Sequence, residues 1–214
     1  MKLLELFSGT GSVGKVARYY NVEVVSLDRD MEADIKMDIM DWKYKEYPPH
    51  SFDIIWASPP CTEYSRAKTI GIRKIEESNE IVKRVLEIIN YFDPIYFMIE
   101  NPQSGLLKEQ WIMGNIPYDD LDYCKYGMPY RKRTRLWNNL YGWSPEPLCK
   151  KDCGNIVDGK HKEHAQRGPS GKKETWGNQI RHKQKELYVI PSLLLQDIFS
   201  FIIHPHIFPP HHRP

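Results

Sequence analysis

Cysteine is scarce in this sequence, with four residues among 214. So few cysteines do not make a disulfide framework, and in a chain of this length they are more typical of metal binding or catalysis. Long apolar runs are also lacking, and none approaches the roughly 20 residues that cross a bilayer. The opening MKLLELF is too short for a signal peptide. These absences predict a protein without a membrane partner, placed in the cytoplasm, nucleus or nucleoid.

Charge of one sign does not dominate the chain, because its net charge is only +2. The two signs are nevertheless separated. Residues 1–124 hold 14 Lys and Arg against 21 Asp and Glu, whereas residues 125–185 hold 15 against 5. A basic segment beside an acidic one suits a polyanionic partner, since Lys and Arg replace the counterions of phosphates. A solvated basic face without a partner is the alternative.

Internal repeats are absent, and the first hundred residues instead alternate between two kinds of pattern. Short apolar runs predict strands at residues 2–7, 22–28, 52–57 and 95–100. Helical spacing predicts helices over residues 12–20 and 74–92. Such alternation predicts a parallel sheet in an α/β domain, in which ligands bind beyond the carboxyl ends of the strands.

The pattern changes after residue 137. Residues 138–186 are rich in Lys, Gly, Pro and His, and we interpret them as a small basic lobe beside a domain formed by residues 1–137. Residues 187–203 return to apolar helical spacing and predict a helix that packs back on the first domain. Residues 204–214 are rich in Pro and His and predict a flexible tail.

Glycines follow the first predicted strand in the stretch FSGTGSVG, residues 7–14, with G-x-G-x-x-G spacing. Glycines there let a ligand approach the backbone and expose the amides of a helix N-terminus. Asp28 ends the next strand, where an acid typically binds the ribose of a nucleoside cofactor. The alternative is a tight turn with a solvated aspartate. Asp38 and Ile39 could hold an adenine, but taken alone they are better explained as an ordinary loop.

Two prolines stand directly before a cysteine in ASPPCTEYS, residues 57–65. Because prolines stiffen a loop, Cys61 would be held in a fixed pose from which its thiolate could attack. An inert buried cysteine is the alternative. Glu100, in the stretch ENP at the end of the next strand, could then supply a proton across the same pocket. A capping or salt-bridged glutamate would explain Glu100 without chemistry.

Arginines alternate in RKRTRLW, residues 131–137. If this segment is extended, Arg131, Arg133 and Arg135 share one face. Three guanidinium groups on one face suit phosphate or a base carbonyl, and a solvated strand is the alternative.

Together and in this order, these motifs resemble those of the cytosine-C5 DNA methyltransferase family. LELFSGTGSVG resembles its cofactor loop, SPPCTEYS its catalytic loop, ENP its ENV motif and RKRTR its Q-x-R-x-R motif. The resemblance covers residues 1–137, and IPSLL at residues 190–194 could stand for the last family motif. It implies an α/β fold with the Rossmann-like sheet of the S-adenosylmethionine-dependent methyltransferases; the small basic lobe that could bind zinc is predicted beside it from its own residues.

The resemblance also implies roles for individual residues. Cys61 would attack ring carbon 6 of a cytosine rotated out of DNA, Glu100 would bind N3, and Arg133 and Arg135 would contact O2 or phosphates. S-adenosylmethionine would be bound by Phe7, Ser8, Gly9, Gly11, Asp28, Asp38, Ile39 and Pro59. The sequence departs from the family in TEYS, in ENP and in a short recognition region, which leaves the reading of a DNA target open.

Three other functions fit part of the pattern. A branch of the family methylates tRNA, so RNA is an alternative substrate. A [DNS]-PP-x loop also serves amino-group methylation, although Cys61 then has no use. The third alternative is a non-catalytic nucleic-acid-binding module. We assume a monomer.

Cysteine and histidine recur in the basic lobe at Cys149, Cys153, His161 and His164. Zinc takes such ligands, and a lobe with few apolar residues would gain stability from a metal. Cys124 is a spare candidate. Four unrelated polar positions are an equally good explanation of the spacing.

Overall fold

Four parallel strands form the centre of the fold. The computed structural model describes residues 1–167, 174–176 and 179–204. Its first four strands are β1 (Lys2–Leu6), β2 (Glu23–Leu27), β3 (Ile54–Ala57) and β4 (Tyr96–Pro102). β1 pairs in parallel with β2 on one side and β3 on the other, and β4 pairs in parallel with β3. The strands predicted from the apolar runs are therefore confirmed.

Two further strands make the sheet mixed. β5 (Tyr118–Asp122) and β6 (Arg133–Asn138) extend it to six strands in the order β2-β1-β3-β4-β6-β5. β6 runs antiparallel to both β4 and β5, so this edge differs from the parallel order predicted for the strands up to residue 100. The antiparallel pairing sets Thr134 opposite Pro102, which brings the start of β6 to the carboxyl end of β4.

Helices cover both faces of the sheet. The longer ones are α1 (Ser12–Tyr19), α2 (Ile75–Phe92) and, after the short α3 (Gln184–Leu187), α4 (Ser192–Ile203). Successive strand residues point to opposite faces. One face packs Leu3, Ile54 and Met98 with residues of α1 and α4, and the other packs their neighbours with α2. The α/β class with helices on both faces is thus confirmed.

The stretch Lys185–Ile203 has the length and the mean hydropathy, 1.6, of a membrane-spanning helix. The prediction that no apolar run approaches membrane-spanning length is therefore wrong when length and hydropathy alone are considered. In the fold, Pro191 separates α3 from α4. Six residues of α4 are buried in the core: Leu194, Leu195, Ile198, Phe199, Phe201 and Ile202. A core helix of a globular domain meets the same criteria, and α4 packs as one.

The basic segment after β6 folds into small pieces of sheet. β7 (Ile156–Val157) and β8 (Lys160–His161) form a hairpin. β9 (Glu163–Arg167), β10 (Glu174–Trp176) and β11 (Gln179–His182) form a second sheet in the order β10-β11-β9. The division at residue 137 remains a prediction. Residues 205–214 of the predicted flexible tail lie outside the described residues.

Candidate active site

A cavity of about 390 Å³ opens at the carboxyl ends of the parallel strands. It lies where the chain changes direction across the sheet, because β2 and β3 flank β1 on opposite sides. Open α/β sheets bind ligands at such a switch point. Its wall includes Phe7 after β1, Asp28 after β2, Cys61 after β3 and Glu100 at the end of β4. Residues that are far apart in the sequence are therefore assembled around one space.

The glycine-rich loop forms the floor of this cavity. Phe7 has φ of 58° and Gly9 has φ of 52°, so the chain turns sharply through the left-handed region directly after β1. Ser8 is 7% exposed, and its buried Oγ has no hydrogen-bond partner among the residues that the structure describes. Gly11 does not line the cavity, because it stands at the N-cap of α1 with φ of 67°. Of the four loop residues expected at a cofactor, three line the space.

Asp28 is fixed by backbone amides. One carboxylate oxygen accepts a hydrogen bond from Gly9 N at 2.8 Å, and the other accepts from Asp30 N and Met31 N, both at 2.8 Å. Such amides stabilise the charged form of a carboxylate and hold it at the cavity wall. Asp28, the acid predicted to bind a ribose, is thereby held in a fixed orientation at the cavity.

Asp38 and Ile39 line the far end of the same cavity. Asp38 accepts from Met40 N at 2.9 Å and from Arg29 Nη1 at 3.3 Å, which orients its carboxylate. Ile39 is 2% exposed and offers an apolar surface. A carboxylate beside an apolar side chain suits an adenine, which has an amino group on its edge and apolar faces.

The loop that carries Cys61 is held by hydrogen bonds on both sides. Asn101 Nδ2 donates to Pro59 O at 2.9 Å, which ties the loop to the end of β4. Arg73 Nη1 donates to Glu63 O at 2.9 Å and to Ser65 O at 2.7 Å. Pro59 and the half-buried Cys61 both face the cavity. The stiffness predicted from the two prolines thus has further support from side chains.

Glu100 lies in the cavity wall with two partners that the sequence did not indicate. It is 7% exposed and accepts a hydrogen bond from the hydroxyl of Tyr123 at 2.9 Å. The Nζ of Lys132 lies 3.6 Å from the same oxygen and 4.8 Å from the centre of the Tyr123 ring. A buried carboxylate with one donor and one nearby cation is well oriented for proton exchange with a ligand.

Burial raises the pKa of the Cys61 thiol, and the negative charge of Glu100 raises that pKa further. Lys132 acts in the opposite direction and lowers it. The thiol therefore carries its proton at neutral pH in this structure. The charges of Glu100 and Lys132 act on the pKa of this thiol in opposite directions.

Arg133 and Arg135 do not line the cavity. Arg133 donates to both carboxylate oxygens of Asp122 at 3.0 and 2.7 Å, and Arg135 donates to those of Asp120 at 2.7 and 2.9 Å. The side chains of a strand alternate between the faces of the sheet. Lys132, which precedes Arg133, lines the cavity, and its Nζ lies 3.6 Å from Glu100, so the cation at the cavity wall is not one of the two arginines expected there.

Glu5 is a second cavity residue that the sequence reading missed. It lies inside β1, is 3% exposed, and accepts a hydrogen bond from Gly14 N at 3.0 Å. Burial raises its pKa to about 7 against the opposing effect of the backbone amides. The signal was an acid inside the apolar run LLELF, a position where a carboxylate needs a particular partner.

Three cysteines and one histidine meet beside the 3-10 turn Tyr123–Tyr126. The possible ligand atoms of Cys124, Cys149, Cys153 and His161 all lie within 4.8 Å of one another. Cys124, the spare candidate, belongs to this group. His164 lies outside it, in β9.

A comparison with protein families identifies the family of this chain. The family described as C-5 cytosine-specific DNA methylase matches residues 1–130, which include the glycine loop, Cys61 and Glu100. The chain belongs to this family. The motif resemblance is thereby confirmed at the level of the family.

A relative of the same family is similar over most of its length. The frog virus 3 (isolate Goorha) protein named "Probable DNA (cytosine-5)-methyltransferase" is 36% identical over 175 residues, 73% of this chain and 79% of that protein.

Solved structures agree on the fold. One described as a DNA modification methyltransferase encoded within a prophage (E. coli) superposes with a TM-score of 0.50 at 15% identity, over 74% of this chain and 56% of that one. The Dnmt2 methyltransferase of S. pombe gives 0.46 at 19% identity, over 64% and 49%. The present chain thus spans about half the length of these two solved methyltransferases.

Proposed function

We propose that this chain is an S-adenosylmethionine-dependent DNA (cytosine-5)-methyltransferase that works through a covalent bond to Cys61. One observation carries the proposal. A single cavity is lined both by Phe7, Asp28 and Ile39, which suit a nucleoside, and by Cys61 and Glu100, which suit nucleophilic attack with proton transfer. Family membership supports the same reaction.

The residues of the cavity fit S-adenosylmethionine. When bound, it supplies a methyl group on a positively charged sulfur. The Asp28 and Asp38 carboxylates would accept hydrogen bonds from the ribose hydroxyls and the adenine amino group, and Phe7 and Ile39 would cover the adenine ring. The buried Ser8 Oγ, which has no partner within the described chain, would gain one from such a ligand.

Cys61 would begin the reaction on a cytosine rotated into the cavity. Its thiolate forms a bond to carbon 6, and Glu100 donates a proton to N3, so the electron pair displaced from the ring double bond does not leave a negative charge on the base. Carbon 5 would then accept the methyl group that the cofactor supplies, and the electron pair of the broken sulfur–carbon bond would stay on the cofactor sulfur. Loss of the carbon 5 proton to water would restore the double bond to carbon 6 and expel the Cys61 thiolate, and N3 would return its proton to Glu100.

The electrostatic coupling in the wall gives Glu100 a second use. A protonated Glu100 is neutral and no longer raises the pKa of the Cys61 thiol, whereas Lys132 continues to lower it. Neutralisation of Glu100 would therefore lower the pKa of the thiol, while burial continues to raise it.

The basic segment at residues 125–185 would bind the DNA backbone. After β6 the described part of it forms short strands, β7 to β11. We expect affinity for DNA that depends strongly on salt and little on sequence, because Lys and Arg contacts to phosphates carry no sequence information.

Trapping with 5-fluorocytosine tests the proposal. Fluorine at carbon 5 cannot leave as a proton does, so a wild-type chain incubated with S-adenosylmethionine and a fluorinated duplex should give a stable covalent complex on a denaturing gel. Cys61→Ala should give none, and omission of the cofactor should prevent the stable complex. A matched fluorinated RNA separates an RNA substrate from DNA. No complex with either nucleic acid would contradict the covalent mechanism.

A further inference from the structure

Four metal-ligating side chains converge at a place that the proposed reaction does not use. We infer that Cys124, Cys149, Cys153 and His161 form a structural zinc site that fastens the basic segment to the catalytic domain. The inference does not rest on methyl transfer.

The distances within the group fit a tetrahedral ion. Zinc bonds of about 2.3 Å to sulfur and about 2.0 Å to nitrogen put a sulfur and a nitrogen ligand roughly 3.6 Å apart. Cys149 Sγ and His161 Nε2 lie 3.5 Å apart. All four possible ligand atoms lie within 4.8 Å of one another, so closure on an ion needs only small side-chain movements. Four protein ligands leave no open position, as in structural rather than catalytic zinc sites.

The backbone around the cysteines supports the sulfur atoms. Lys151 N donates to Cys149 Sγ at 3.3 Å. Lys151 adopts a left-handed conformation with φ of 72°, and Gly154, directly after Cys153, has φ of 74°. A non-glycine residue in this region is uncommon, and the turn it makes aims its amide at the sulfur. Such an amide stabilises a thiolate that binds a metal.

The part of the basic segment that follows Trp143 lacks an apolar core that would otherwise hold it. Among the described residues between Trp143 and Ile190, Cys149, at 6% exposure, is the one apolar residue that is buried. The hairpin β7–β8 has two residues in each strand. A unit with so little buried apolar surface commonly depends on a disulfide or a metal, and the chain's cysteines are free.

The site connects this segment to Tyr123, the residue whose hydroxyl holds Glu100. Cys124 follows Tyr123, whose hydroxyl donates to Glu100. Cys149 N donates to Asp122 Oδ2 at 3.0 Å, on the other side of Tyr123. An ion held by Cys124 and Cys149 would therefore fasten residues 122–124, at the end of β5, to the part of the basic segment that carries Cys149.

Zinc content tests the inference directly. The full chain, produced in zinc-supplemented cells and purified without chelators, should contain about one zinc per chain by mass spectrometry of the metal. Cys124→Ser and Cys153→Ser should each lose most of it. His164→Ala is the matched control, since this histidine is near in sequence but outside the group, and it should keep its zinc.

Two results would overturn the site. One is a wild-type chain that contains no zinc and binds none on addition. The other is loss of zinc in His164→Ala with retention in Cys124→Ser, which would assign the ligands differently.

A measurement on the wild type guards against variants that do not fold. Removal of zinc with a chelator should increase alkylation of the half-buried Cys153, measured by peptide mass spectrometry, and zinc should reverse it. Cys61, outside the group, is the internal reference. Equal alkylation of Cys153 with and without chelator would contradict the site. Zinc content does not depend on methylation, so failure here is distinct from failure of the proposed reaction.

Discussion

At the scale of single residues, the site depends on which face of β6 a side chain occupies. Lys132 faces Glu100, whereas Arg133 pairs with Asp122 on the opposite face. The two cations are neighbours in sequence and have different uses. In the proposed reaction the lysine would act on the reacting groups, whereas the arginine belongs to an ion pair with an aspartate that is 0% exposed.

We therefore predict opposite effects for neighbouring substitutions. Lys132→Gln should lower the methylation rate by about 10–100-fold, because a positive charge beside the reacting base is lost. Arg133→Gln should leave the rate within about threefold but lower the free energy of unfolding by about 3 kcal/mol, since Asp122 keeps a buried charge. Methylation kinetics and urea unfolding measure the two. A larger rate loss in Arg133→Gln would restore the arginine to the active site.

The pH dependence of methylation should also change in Lys132→Gln. Because burial and Glu100 raise the pKa of Cys61, we expect kcat/KM of the wild type to rise with pH from 7 towards 9. Lys132 lowers that pKa, so its removal should move the alkaline rise to higher pH. A pH profile unchanged by Lys132→Gln would show that the lysine does not act on the thiol.

At the scale of elements, β1 and α1 are joined through a buried acid. Glu5 in β1 accepts from Gly14 N in α1, and a Cβ added at Gly14 would lie 2.7 Å from Glu5 Oε2. Glycine at this position lets the helix approach the strand closely. Of the glycines in the G-x-G-x-x-G spacing, the third, Gly14, therefore serves helix packing, and the first, Gly9, lines the cavity.

Glu5 should make stability fall as pH rises. Its pKa is about 7 in the folded chain and near 4.5 when unfolded, so the folded state binds more protons between these values. Its contribution is fully present below about pH 4.5 and is lost by pH 7. The loss is about 3 kcal/mol, from 1.36 kcal/mol per pH unit.

Urea unfolding of Glu5→Gln at pH 5 and pH 8 tests this. The difference in unfolding free energy between the two pH values should shrink by about 2–3 kcal/mol relative to the wild type. Glu23→Gln, on the exposed side of β2, is the control and should leave it unchanged. The prediction fails if both variants behave alike.

At the scale of the whole molecule, the C-terminal helix completes the core formed by the N-terminal elements. Tyr20, just after α1, donates to or accepts from Ser200 Oγ at 2.8 Å and stacks on Phe199 at 6.1 Å between ring centres. Phe199 is 0% exposed. The stretch that by hydropathy alone could cross a membrane is used to close one face of the sheet.

Two substitutions on α4 test this use. Phe199→Ala should lower the free energy of unfolding by about 3–5 kcal/mol, because it leaves a cavity against α1. Leu193→Ala, on the same helix at 54% exposure, should cost less than about 1 kcal/mol. Thermal or urea unfolding measures both. Equal effects would mean that α4 does not carry the packing described.

Apolar patterns within short stretches of sequence predicted the strands and helices of the N-terminal half. The strands β1 to β4 and the helices α1 and α2 were predicted from apolar periodicity, and the placement of Cys61 and Glu100 at strand ends followed from the parallel order. The direction of β6 and the face of each of its cations depend on pairing with β4 and β5. Such register is set by distant residues, and a slip of one residue exchanges the faces. The meeting of Cys124 with Cys149 has the same non-local origin.

The packing of α4 against α1 has a consequence for synthesis on the ribosome. The helix α1 is made within the first 20 residues, but the side chains that cover it, such as Phe199, come from residues 192–203. A nascent chain whose α4 has not yet left the ribosome exposes Val13, Val16 and Ala17. These three residues belong to the same core cluster as Phe199. Final closure of this face must therefore wait until residue 203 has been translated, and until then the partly synthesised domain exposes apolar surface that chaperones bind.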